Sequence, residues 1–100
     1  MTRLSLDMDL PATQRDALQA AATIERLTGA VARVYRTRSG GHHVETDTIS
    51  GLSVADSLTL RALLGDDMAR LRRDLKRISE GRAFDFLFNR KRNTRRVRVG

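Results

Sequence analysis

Two carboxylates, Asp7 and Asp9, stand two residues apart in the run Leu4-Ser5-Leu6-Asp7-Met8-Asp9-Leu10. Leu4, Leu6, Met8 and Leu10 alternate with polar residues, and a period of two predicts a strand with one buried face. On such a strand the two acids project to the same side, with Cα atoms roughly 6–7 Å apart. Like charges that close repel unless a proton or a cation is shared between them. The pair is therefore read either as two solvated acids or as part of a divalent-metal site able to hold nucleotide phosphates.

Other residues of suitable chemistry fall at intervals along the chain. Val31 to Arg38 is rich in strand formers, Ser39-Gly40-Gly41 has hairpin-turn chemistry, and His42 to Ile49 is the returning strand. With Val44 turned to the core, alternation sends His43, Glu45 and Asp47 to the opposite face. A late strand is predicted over Ala83–Asn89, with Phe84, Phe86 and Phe88 on one side and Asp85 on the other.

Helices must carry these strands. Pro11 suits a first helical turn. From Thr13 to Thr28, Ala17, Ala21, Ile24 and Thr28 mark one side, flanked by Leu18 and Leu27, before Gly29 offers a C-terminal stop. A second helical segment is expected from Ser53 to Leu64, with Ser53 and Asp56 spaced as in a capping box, and Leu58 to Leu64 also reads as a strand. Beyond Gly65, Asp66 and Asp67 suit the N-terminus of a further helix. Its buried stripe is read as Met68, Leu71, Leu75 and Ile78, and its end as Gly81.

The order strand, helix, hairpin, helix, strand predicts an α+β domain over residues 1–89. The expected architecture is ferredoxin-like or RRM-like, βαββαβ, with a four-stranded antiparallel sheet and helices on one face. Its first and third strands would be central. The open face would gather Asp7, Asp9, His43, Glu45, Asp47 and Asp85. RNA stacking on such a face needs exposed rings on central strands, where this register puts acids and a histidine; Tyr35, on an expected edge strand, is the one candidate ring.

Charge is unevenly distributed. Residues 1–50 carry six Lys/Arg and six Asp/Glu, whereas residues 51–100 carry thirteen and six, which accounts for the whole net charge of +7. This asymmetry points to a polyanionic partner. Arg90, Lys91, Arg92, Arg95, Arg96 and Arg98 are read as a flexible basic tail over residues 90–100 that binds phosphates with steep salt dependence. Arg70, Arg73 and Arg77 form a stripe along the third helix. The absence of cysteine excludes disulfides and thiolate chemistry. No apolar run reaches the ~20 residues of a membrane span, so the expectation is a soluble, cytoplasmic protein without membrane contact.

The Leu6-Asp7-Met8-Asp9-Leu10 run resembles the first motif of the archaeo-eukaryotic primase superfamily. Gly41-His42-His43 resembles its second motif, a small residue, any residue, then His. Phe84-Asp85 resembles its third, a hydrophobic residue followed by Asp. The resemblance spans about residues 4–88 and implies an RRM-like catalytic core with primase-polymerase chemistry. It implies Mg²⁺ or Mn²⁺ on Asp7, Asp9 and Asp85, a catalytic role for these acids with His43, and Arg36 and Arg38 at the phosphates. The matching histidine is His43 by register or His42 with a bulge, and Asp66 or Asp67 are alternatives for the third acid. Full members carry an additional N-terminal module that 100 residues do not hold, so the resemblance implies a shortened relative. His42-His43 and Tyr35 also resemble parts of rolling-circle replication endonucleases, but the residue between the two histidines is missing and Tyr35 falls on a strand.

The expected protein is thus small, replication-associated and nucleic-acid-binding, with a primase-like metal core that either retains nucleotidyl transfer or has lost it. Its partners would be DNA or RNA, nucleotides, and a larger replication protein or a second copy. The alternative is a non-catalytic nucleic-acid-binding or replication-complex interaction module acting through its tail and third helix.

Overall fold

A computed structural model describes residues 2–81 and 96–100. Its elements are β1 (Thr2–Met8), α1 (Gln14–Thr28), β2 (Ala32–Arg36), β3 (His42–Ile49), α2 (Val54–Leu63), α3 (Met68–Ser79) and β4 (Val97–Arg98). The strands form one antiparallel sheet in the order β1-β3-β2-β4. The described residues are α+β, with a four-stranded antiparallel sheet and three helices, compatible with a ferredoxin-like fold.

The core forms where the sequence's two periodicities meet. Leu4, Leu6, Met8, Val34, Val44 and Ile49 turn one sheet face inward, and Ala17, Ala20, Ala21 and Ile24 of α1 close over it. Small alanines let α1 lie close across β2 and β3, while α2 packs on β1 and α3 on α2. Thr13 caps α1 with a reciprocal box, its side chain accepting from the Asp16 amide while Asp16 accepts from the Thr13 amide. Ser53 accepts from the Asp56 amide at the head of α2.

Several boundaries differ from expectation. Strand β1 stops at Met8, and Leu10 and Pro11 form an exposed turn ahead of α1, so Pro11 does not open the helix. In α3, Met68 and Leu75 are exposed; the buried residues are Arg70, Leu71 and Asp74. The expected strand 83–89, with Asp85, lies outside the described residues. The fourth strand described here is β4, which pairs with β2. This makes β2 an inner strand and closes the edge that Val31–Arg38 was expected to leave free. The C-terminal end is built into the sheet rather than trailing from it: the Val34 amide donates to the Gly100 carbonyl, the Val99 amide donates to the Val34 carbonyl, and Val99 packs against the core.

Strand β1 lies at one edge of the sheet among the described residues, opposite β4, and its outward groups are taken up by side chains and a turn. The Asp7 amide donates to Asp66 Oδ1 at 2.7 Å, the Asp7 carbonyl accepts from the Asp67 amide, and the Ser5 carbonyl accepts from Arg70 Nη1 at 3.0 Å. The turn between α2 and α3 thus does for this part of β1 what a neighbouring strand would do. Behind it lies a buried charge network. Arg61, 0% exposed, donates to Asp66 Oδ2 and pairs with Asp74, while Arg70 pairs with Asp66. Two guanidinium groups and two carboxylates balance, which is the condition under which charges tolerate removal from water.

Candidate metal centre and the sheet face around it

Alternation on β1 puts Ser5 and Asp7 on the face opposite the core. Alternation on β3 does the same for His43 and Glu45, and on β2 for Arg33 and Tyr35. Cross-strand pairing then aligns Asp7, His43, Tyr35 and Arg98 in one row and Ser5, Glu45 and Arg33 in the next. His42 falls on the core face, buried beside Met8, and its two ring nitrogens have no hydrogen-bond partner among the described residues. Burial, together with the Arg36 charge, holds His42 below the usual imidazole range.

The acids gather at the end of β1. Carboxylate oxygens of Asp7, Asp9 and Asp67 lie within 4.8 Å of one another. Asp9 is carried just beyond the strand, against the β2–β3 hairpin. A Cβ at Gly41 would stand 3.2 Å from Asp9 Oδ1 and 3.3 Å from the Met8 carbonyl, so glycine leaves Asp9 its place there. Asp67 is the N-cap of α3, accepting from the Ala69 amide at 2.8 Å, so the positive end of the helix dipole faces the cluster. Burial raises the Asp7 carboxyl to about 6, and the neighbouring charges of Asp9 and Asp67 add to the shift against the opposing influence of Arg70. His43 Nε2 faces Asp7 Oδ1 at 3.6 Å.

The structure therefore brings together Asp7, Asp9 and His43, with Asp67 as the third acid; Asp66 is engaged with Arg61, Arg70 and the Asp7 amide. Asp85, Arg90, Lys91, Arg92 and Arg95 lie outside the described residues. Arg36, at the end of β2, and Arg38, in the hairpin that abuts Asp9, are exposed. Arg73 is exposed and Arg77 is half-buried beside Asp74. Two cations assigned to nucleic acid are instead engaged internally. Arg70 is buried and holds Asp66 and Ser5. Arg96 clamps Glu45 with two hydrogen bonds of 2.9 and 3.1 Å and lies 3.8 Å from the centroid of the Tyr35 ring.

Sequence reasoning did not find Arg61 or the structural part of Arg70. The signal was the i, i+4 ladder Asp66–Arg70–Asp74, in which opposite charges pair along one helical face. Arg96 gave no such signal, because its partners are about fifty residues away.

Comparisons with family models, with curated proteins and with solved structures gave no match to this chain. Among the described residues no helix is long and apolar enough to cross a membrane.

Proposed function

We propose that this is a nucleic-acid- or nucleotide-binding protein with a primase-like, RRM-like core, in which Asp7, Asp9 and Asp67 hold Mg²⁺ or Mn²⁺. The observation that carries the reading is the crowding of three carboxylates into 4.8 Å, with Asp7 raised to about 6. A charge arrangement this unfavourable is relieved by a cation, and all-oxygen donors suit hard Mg²⁺ or Mn²⁺. Such an ion supplies attraction for phosphate oxygens and activation of a hydroxyl. The chain's own residues would do the rest: His43 contacts the phosphate beside Asp7, and Arg38 and Arg36 neutralise its charge from the hairpin side.

Calorimetric titration with Mn²⁺ tests this. Binding is expected for the native chain and is lost in the Asp7→Asn/Asp9→Asn double variant; no heat with the native chain overturns the metal reading.

A second reading, a non-catalytic nucleic-acid-binding module, is favoured by the outer face of α3. There Arg72, Arg73 and Lys76 are all exposed. Together with the net charge of +7, they suit a phosphate backbone without any metal.

A further inference from the structure

His43 lies between two groups of fixed hydrogen-bonding character. On one side Arg96 Nη1 is 3.4 Å from Nδ1; on the other Asp7 Oδ1 is 3.6 Å from Nε2. A guanidinium only donates, and an ionised carboxylate only accepts. The neutral ring satisfies both neighbours in one tautomer, with the lone pair on Nδ1 and the proton on Nε2. Arg96 is itself immobilised: its side chain is 7% exposed, it is clamped on Glu45 by two hydrogen bonds, and it is stacked on Tyr35. It is brought there by β4, whose Val97 and Arg98 pair with β2.

We infer that Arg96 is a positioning residue that fixes His43 as the Nε2–H tautomer, so that the ring presents a hydrogen-bond donor, and no metal-ligating lone pair, to the Asp7 side of the sheet. The tautomer of a histidine is set by the hydrogen bond its other nitrogen makes. The C-terminal strand, about fifty residues along the chain from His43, therefore determines what the imidazole can do. The ring can donate to Asp7 or to an oxyanion beside it. It cannot enter a cation's coordination shell through Nε2 without losing that proton. This inference stands apart from the metal reading, since it concerns the free protein.

Long-range ¹H–¹⁵N correlation of the imidazole nitrogens, recorded at alkaline pH where the ring is neutral, reads the tautomer directly. The native chain is expected to show His43 with a protonated Nε2 and an unprotonated Nδ1. In Arg96→Met the two nitrogens move toward the averaged shifts of a mixed population, and Arg96→Lys, which keeps a donor, restores the native pattern. Because Arg96→Met removes both hydrogen bonds that clamp the Glu45 carboxylate and leaves it facing Arg33 at 3.8 Å, the double variant Arg96→Met/Glu45→Gln serves where the single one does not fold. A native His43 protonated on Nδ1, or a native pattern that survives in either Met variant, overturns the inference. Failure of Mn²⁺ binding would leave these spectra unchanged and bears only on the metal centre.

Discussion

Asp7 and His42 sit on opposite faces of the same sheet, and burial acts on them with opposite consequences for pH. The folded Asp7 carboxyl titrates near 6 instead of its usual 3.8. The folded state therefore holds that proton more tightly, and lowering the pH from 7 toward 5 makes this site's contribution more favourable. His42 is held below 6.5. The unfolded state takes its proton first, so this contribution is present above 6.5 and is lost as the pH falls. The two oppose one another over the same interval, and single variants separate them. With Asp7→Asn, denaturation midpoints should fall as the pH is lowered from about 7 to about 5.5; with His42→Leu they should rise. Asp7→Asn should also raise the melting temperature at neutral to slightly alkaline pH without divalent ions, because it removes one charge from a crowded set. It should abolish any Mn²⁺-induced rise in melting temperature. An unchanged Mn²⁺ response in that variant would place the cation elsewhere. In the native chain Mn²⁺ affinity should weaken as the pH falls through about 6, where a proton competes for Asp7.

At the scale of elements, the α2–α3 turn is the part most exposed to disruption by one substitution. Asp66 accepts from the Asp7 amide, from Arg61 and from Arg70. Asp66→Ala leaves two buried guanidinium groups short of a partner and an edge amide without an acceptor. Breaking a buried pair on one side typically costs about 3–5 kcal/mol, and chemical denaturation measures it. Native-state hydrogen exchange gives the finer readout: the Asp7 amide should lose protection out of proportion to Val34 and Val44 in the sheet interior. Uniform loss at all three would mean that the network supports the fold as a whole and does not cap β1. Alternation made β1 and β3 legible from sequence and strand-forming residues did so for β2, and β3 takes its expected bounds because the Gly40-Gly41 hairpin and Val44 fix its register. Helix α3 was legible in extent but not in orientation. Met68, Leu71, Leu75 and Ile78 suggested an apolar stripe; Leu71 is buried as expected, but it shares the buried side with Arg70 and Asp74, whose charges are cancelled by partners on α2 and in the turn.

Over the whole molecule, charge is sorted by place. Acids collect where β1 ends, paired charges lie beneath α3, and the cationic side chains of Arg72, Arg73 and Lys76 stay at the surface. If nucleic acid binds this surface, log affinity falls linearly with log salt. Replacing these three residues with glutamine should then lower the slope by roughly 0.7–0.9 for each phosphate that is no longer neutralised. Affinity measured by fluorescence anisotropy across a salt series checks this, and an unchanged slope assigns binding to other cations. The sequence by itself determined the α+β class, the inward faces of β1 and β3, the Gly29 stop of α1, the Ser53 cap of α2, and the placement of Asp7 with His43 on the outer face, because alternation and capping are local and survive without knowledge of neighbours. Only the tertiary structure decided that Asp67 joins Asp7 and Asp9, that Asp66 and Arg70 cap an edge, and that Arg96 reaches back to Glu45 and His43. Each of these depends on chain segments far apart in sequence, and a charge reveals whether it is solvated, paired or crowded only once its distant partner is in place.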